Sequence, residues 1–304
     1  MFATYLRALT LCTVVAVAGP AAAETYANAH LLVSAETIAS RGAGAAETDS
    51  AESRPLVILD VRPIEAFAKG RIPGARQLDP QAVADPDSPV EGALRPLDEI
   101  AKLLGDLGVS AAADVVVYDD KGGFHAARIF WLLEYLGHRR VGLLDGGIQA
   151  WTAAGQTLET GKPEAVTPGD GATSRFASAL TPRRHATADW ILERQNDAKT
   201  IVIDVRPSAA FAEGHIPWAK NIPWKANLSA DGTMKPAGDL RAHFEVLGVT
   251  PDDNIVVHCQ NGLASSHSYF ALRLLGYSKV RTYHRSWSEW GAADDLPKAS
   301  LSDG

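Results

Sequence analysis

Leu59-Asp60-Val61-Arg62-Pro63 returns later in the chain as Ile203-Asp204-Val205-Arg206-Pro207. The echo continues outward from there. Phe67-Ala68-Lys69-Gly70-Arg71-Ile72-Pro73 matches Phe211-Ala212-Glu213-Gly214-His215-Ile216-Pro217, and Val115-Val116-Val117-Tyr118 matches Ile255-Val256-Val257-His258. Leu136-Gly137-His138 matches Leu275-Gly276-Tyr277, and Trp151 matches Trp290. Units of about 120 residues present only twice indicate duplicated domains rather than a solenoid.

Each unit alternates strand and helix patterns. Pro55 to Val61 and Thr200 to Val205 are short β-branched runs, with further strand runs at Val141 to Leu144 and Val280 to Tyr283. Helical patterns cover Leu97 to Leu107, Ala126 to Leu136, Leu240 to Leu247 and Ser266 to Leu275. Apolar strands alternating with helices predict an α/β fold: two tandem domains, each a parallel sheet with helices on both faces. Sites in such sheets lie at the carboxyl ends of the strands. The expected domains are 30–158 and 181–298, with a linker over 159–180 rich in Gly, Pro, Thr and Ala. Residues 41–53 and 85–92 read as exposed loops.

Residues 1–23 carry one cation, Arg7, an apolar run from Ala8 to Ala18, then Gly19-Pro20 and Ala21-Ala22-Ala23. That order is the pattern of a cleavable signal peptide, cut after Ala23. The run is shorter than the roughly 20 apolar residues of a membrane span. The expectation is a periplasmic protein with no membrane attachment once the leader is removed. Net charge is −7 in the 304-residue chain, without basic clusters, which argues against nucleic-acid binding. Nine histidines show no paired spacing of a metal site.

Of the two cysteines, Cys12 falls in the leader, so Cys259 stands alone in the mature chain. An unpaired cysteine in an exported protein means intermolecular pairing or a reactive thiol. Its setting favours the reactive thiol. The run Ile255-Val256-Val257-His258 leads as a strand into Cys259-Gln260-Asn261-Gly262-Leu263-Ala264-Ser265, and a helix follows. On such a loop, backbone N–H groups and the helix dipole stabilise an anionic sulfur.

Together the paired Asp-Val-Arg-Pro strands, Gly214-His215-Ile216-Pro217, the Cys259 loop and Ser286-Trp287-Ser288-Glu289-Trp290-Gly291 resemble the tandem-domain sulfurtransferases of the rhodanese family. The resemblance covers nearly the whole mature chain. It implies a five-stranded parallel sheet in each domain and a catalytic cysteine in the second domain only. The first unit has Asp119 at the corresponding place, and a carboxylate cannot carry a sulfane sulfur, so that domain is expected to be silent.

The implied reaction is covalent. Cys259 takes the outer sulfur of a small anionic donor and passes it to a thiol or cyanide acceptor, with no cofactor or metal. Gln260, Asn261, Gly262, Leu263, Ala264 and Ser265 are the expected sulfur-binding loop, and Arg206 the expected anion-binding side chain beside it. Asp204 and Arg206 equally suit a purely bracing role, as Arg62 does in the silent unit. The loop carries no charge, so a dianionic donor must find a cation elsewhere: Arg206, His258, His267 or Arg285. Trp218 is placed to narrow the cleft. Glu289, Trp287 and Trp290 read as braces and core.

Thiosulfate is the first choice of donor, since the loop begins Cys-Gln. 3-Mercaptopyruvate is the alternative, and a non-enzymatic persulfide carrier or interaction module is the rival of another class. A Cys-loop phosphatase would need Arg at position 265, which is Ser.

Overall fold

The computed structural model describes residues 25–42, 54–162, 176 and 178–301. The predicted leader and most of the 41–53 loop lie outside them.

The first unit contains β1 (Leu32–Val33), α1 (Ala35–Arg41), β2 (Leu56–Asp60), α2 (Ile64–Lys69), β3 (Arg76–Gln77), α3 (Leu97–Asp106), β4 (Asp114–Tyr118), α4 (Ala126–Tyr135), β5 (Val141–Leu144) and α5 (Gly147–Ala153). The second repeats this order with α6 (Ala188–Leu192), β6 (Thr200–Asp204), α7 (Ser208–Glu213), β7 (Lys220–Asn221), α8 (Ala237–Glu245), β8 (Asn254–His258), α9 (Leu263–Leu274), β9 (Val280–Thr282) and α10 (Ser286–Trp290).

Both sheets are parallel, in the orders β1-β5-β4-β2-β3 and β7-β6-β8-β9. Two α/β domains with helices on both sheet faces are therefore present, as the sequence predicts. The expected fifth strand of the second sheet is reduced to one parallel bridge, His185 to Thr282, at the edge where β1 stands in the first. Pro182 sits just upstream in a short 3₁₀ turn, and a proline has no N–H to extend a ladder.

Alternation along the strands sorts the core. Val57 and Leu59 of β2, and Ile255 and Val257 of β8, belong to one apolar cluster that runs without a break through both units. Ile58 and Val116 point the other way, into an outer core with Phe67 and Trp151. Val202 and Val256 do the same beneath Tyr283 and Trp290. The period of two thus gives each sheet one face for its own outer helices and one face for the shared centre. Trp218 joins this outer layer, edge-on to Trp290 at 5.9 Å, so it braces the fold instead of narrowing a cleft.

At the centre, α4 packs on α9, with Phe130 edge-on to Phe270 at 4.9 Å. A buried charge cluster ties the same helices together. Glu134 accepts from Tyr269 Oη at 2.5 Å and from Arg273 Nε and Nη2, each at 3.1 Å. Burial pushes the Glu134 carboxyl up, but the Arg273 hydrogen bonds and charge outweigh it and hold the group below its ordinary 4.5. A depressed carboxylate stabilises the fold above its unfolded value and loses that contribution as pH falls through the folded one. Glu134→Gln, which leaves Arg273 buried against a neutral partner, is expected to cost about 3 kcal/mol in denaturant unfolding at neutral pH. That deficit should shrink as pH drops below 4.5; a pH-independent deficit would assign the loss to packing.

The described parts of the 159–180 segment are fastened rather than loose. Glu159 bridges to Arg71 and accepts from Gly74 N, while Ala179 N and Thr181 N donate to the carbonyls of Leu136 and Tyr135 at the end of α4.

Candidate active site

Four residues, Cys259 to Gly262, connect β8 to α9. The helix begins three residues before the predicted Ser266, so Leu263, Ala264 and Ser265 form its first turn rather than the end of the loop. Gly262 makes this short connection possible, with φ at +90°. A methyl group there would meet Arg128 Nη1 at 2.2 Å and the His284 carbonyl oxygen at 2.5 Å, so only glycine fits. First-turn N–H groups lack acceptors inside their own helix.

Cys259 is 2% exposed. Its Sγ accepts from Gly262 N at 3.2 Å and lies 3.7 Å from Ser265 Oγ and 3.9 Å from Ser286 Oγ. Ser286 also accepts from the Cys259 N–H at 3.0 Å and donates to the Tyr283 carbonyl at 2.8 Å. It is the one non-glycine residue with positive φ among the described residues, at 53°. Strain of that kind persists only where the surroundings over-determine it. Here the start of α10 clamps the loop: Trp287 N and Ser288 N donate to the carbonyls of Cys259 and Gln260 at 3.0 and 2.9 Å.

The first unit shows what this curl does to an anion. Asp119 is 1% exposed, and its carboxylate accepts from Lys121 N, Gly123 N, His125 N and Ala126 N at 2.7 to 3.1 Å. Gly123 shares the φ of +90° seen at Gly262, and both glycines donate to the residue that follows the strand. Aligned on that pair, the second unit, whose loop is one residue shorter, has Asn261, Gly262, Ala264 and Ser265 at the corresponding positions. Where the first unit carries a built-in anion, the second has a single sulfur, to which Gly262 N donates.

Arg206 is engaged elsewhere. Its Nε and Nη2 hold the Asp204 carboxylate at 2.6 to 3.1 Å, Nη2 reaches the Gly214 carbonyl at 2.6 Å, and the guanidinium covers the Trp287 ring at 4.5 Å. Arg62 makes the same contacts to Asp60 and to the Gly70 carbonyl. Presence in both units, one with a thiol and one without, marks this geometry as a brace for the strand end.

Nor do the histidines supply charge. Burial depresses His258, against the pull of Asp204, 3.6 Å away. Burial also takes His267 down to about 4, and its ring faces the Gly122 carbonyl and Asn227. Arg285, 42% exposed, pairs with Glu289 at 3.0 Å.

Sequence reasoning takes the first unit as a packing partner and one wall of the cleft, but does not find which of its residues reach the loop. Asn261 Nδ2 donates to Glu91 Oε1 at 2.6 Å. A methyl group on Gly92, at φ +84°, would lie 2.0 Å from the Asn261 carbonyl oxygen, so the 85–92 loop lies directly on the Cys259 loop. Arg128 of α4 reaches Gly262, as noted. The two repeats differ here, with Arg128 aligned to His267, and that mismatch was the available signal. A cleft of about 650 Å³ also opens between the units, lined by Leu94, Tyr135, His185, Tyr283, His284 and Arg285 among others. Among the described residues no cluster of His, Cys, Asp and Glu could hold a metal, and no helix is long and apolar enough to cross a membrane.

Comparison with known proteins agrees with this architecture. The rhodanese-like domain model matches residues 45–154 and 187–293. Thiosulfate sulfurtransferase of Pseudomonas aeruginosa is 34% identical over 250 residues, covering 80% of this chain and 90% of that protein. Sulfur carrier protein TtuD of Thermus thermophilus is 35% identical over 292 residues, covering 90% and 98%. The 3-mercaptopyruvate sulfurtransferase of Escherichia coli K12 is 33% identical, covering 77% and 84%. Among solved structures, SseA of Escherichia coli superposes with a TM-score of 0.72 at 29% identity, over 85% of this chain and 99% of that one. The anaerobic ergothioneine biosynthesis enzyme of Chlorobium limicola shares the fold at a TM-score of 0.81 and 21% identity, over 91% and 72%. With both units matched and relatives of this similarity along most of its length, the chain belongs to the rhodanese family.

Proposed function

We propose that this protein is a sulfurtransferase that moves a sulfane sulfur from thiosulfate to a thiol or cyanide through a persulfide on Cys259. The observation that carries this reading is the place of the thiol: Cys259 sits on the curl that in the first unit holds a full carboxylate on four backbone N–H groups, and the matching glycine N–H donates to its sulfur. Such donors stabilise a terminal sulfur bearing negative charge, as an oxyanion hole stabilises oxygen.

The atoms balance without an external oxidant. The Cys259 thiolate attacks the outer sulfur of thiosulfate, the sulfur–sulfur bond breaks, and sulfite leaves with the bonding pair. The enzyme keeps one added sulfur as an anionic persulfide. Cyanide or a thiolate then attacks that sulfur, leaves as thiocyanate or a new persulfide, and returns the Cys259 thiolate. The relatives named as thiosulfate and 3-mercaptopyruvate sulfurtransferases support the class of reaction. The Cys-Gln start of the loop favours thiosulfate over 3-mercaptopyruvate. The leader pattern at residues 1–23 supports a periplasmic setting.

A carrier role is the second reading, favoured by the similarity to TtuD. Mass spectrometry separates the cases. Reduced protein treated with thiosulfate is expected to gain one sulfur on the Cys259 peptide, faster than with 3-mercaptopyruvate, and to lose it when cyanide is added, with catalytic release of thiocyanate. A sulfur that loads but never turns over would leave the carrier. Absence of loading with either donor would end the proposal.

A further inference from the structure

Among the described residues, Arg128 is a cation brought to the Cys259 loop with no anion of its own. It is 3% exposed, and its Nη2 donates to the Gly92 carbonyl at 2.8 Å. Its guanidinium lies over the Trp131 ring at 5.3 Å, and Nη1 is buried with no hydrogen-bond partner. Among the described residues no carboxylate forms an ion pair with it. The unpaired Nη1 is the atom that abuts Gly262, whose N–H holds the Cys259 sulfur. Burial lowers the guanidinium to about 10, with the charge of a Cys259 thiolate acting in the opposite direction, so the group stays cationic at neutral pH.

A buried charge without a counter-ion is costly, and proteins rarely keep one. The repeat gives an independent argument. Arg128 and His267 occupy equivalent places on α4 and α9, and each reaches across to the other unit's loop: Arg128 to Gly262, and His267 to Gly123 and the Gly122 carbonyl. The loop that already contains the Asp119 carboxylate faces a neutral imidazole. The loop that contains the thiol faces a cation.

We propose that Arg128 is the anion-binding residue of the active site, its Nη1 taking the anionic oxygens of the donor and then the persulfide sulfur. Cation and nucleophile thus come from different domains. This deepens the sulfurtransferase reading and rests on it for the identity of the donor, but the anion site itself can be tested without turnover.

Cys259 is alkylated in parallel with iodoacetate, an anion, and with neutral iodoacetamide, in the full-length mature protein. Relative to free cysteine, the wild-type protein is expected to favour iodoacetate. That preference should fall about tenfold in Arg128→Met, the loss of one charge-assisted hydrogen bond, and be largely kept in Arg128→Lys. KM for thiosulfate should rise in step in Arg128→Met, with kcat changing less. Arg128→Gln replaces the Met variant if that one does not fold. A wild-type protein without the preference, or a folded charge-free variant that keeps it, overturns the proposal. If the preference follows the charge but no variant or wild type accepts sulfur from thiosulfate, Arg128 remains an anion site and the sulfurtransferase reading is what fails.

Discussion

Cys259→Ser is expected to lose sulfur transfer by a factor on the order of 10⁴ or more while the protein stays folded. The size of the effect follows from the neighbours. A serine hydroxyl needs a base to become a nucleophile, and the groups beside Sγ are two further hydroxyls, Ser265 and Ser286. His258 and His267 face Asp204 and Gly122 instead. The substitution removes little volume, and a serine Oγ can still accept from Gly262 N, so stability should change by only about 1 kcal/mol. Steady-state thiocyanate release together with intact mass after thiosulfate treatment checks both halves. Residual turnover above about one-hundredth of wild type would place the transferred sulfur on something other than Cys259.

The second large effect lies in the first unit, at the carboxylate that stands where the second has its thiol. Asp119→Ala is expected to cost about 4 kcal/mol, because it strips four backbone N–H groups of their acceptor at once, two of them buried and two partly so. Asp119→Asn, which keeps one oxygen, should cost clearly less. Equilibrium unfolding in urea measures the difference directly. A loss under about 1 kcal/mol for the alanine variant would mean that water or a buffer anion fills the loop; adding sulfate should then stabilise the variant and leave the wild type unchanged.

Much of this was legible in the chain. The duplication, the parallel α/β sheets, the lone thiol on a strand–loop–helix and the carboxylate at the matching place in the first unit all lie in local sequence, where period and residue type carry the signal. The start of α9 was misplaced by three residues because Ala264 and Ser265, after Gly262, read as the end of the Cys259 loop. They are buried within the helix, and Ser266 donates to the Gly262 carbonyl at 2.7 Å. The resemblance places the strand end that carries Arg206 beside the thiol loop, and only the fold shows its Nε and Nη2 committed to Asp204 and Gly214. Glu91, Gly92 and Arg128 reach the site from the other domain, across a separation no local pattern spans. Their roles became visible with the packing of α4 on α9.

That packing joins equivalent helices of two equivalent units, a self-complementary contact of the kind a two-fold homodimer makes. In a homodimer such a site would come apart on dilution, and both halves would be held to the same residue choices. Carried on one chain, the partner is present at a fixed effective concentration. Assembly of the site becomes a first-order event, independent of how little protein is present. Each half is also free to drift in the position the other relies on, Arg128 here and His267 there.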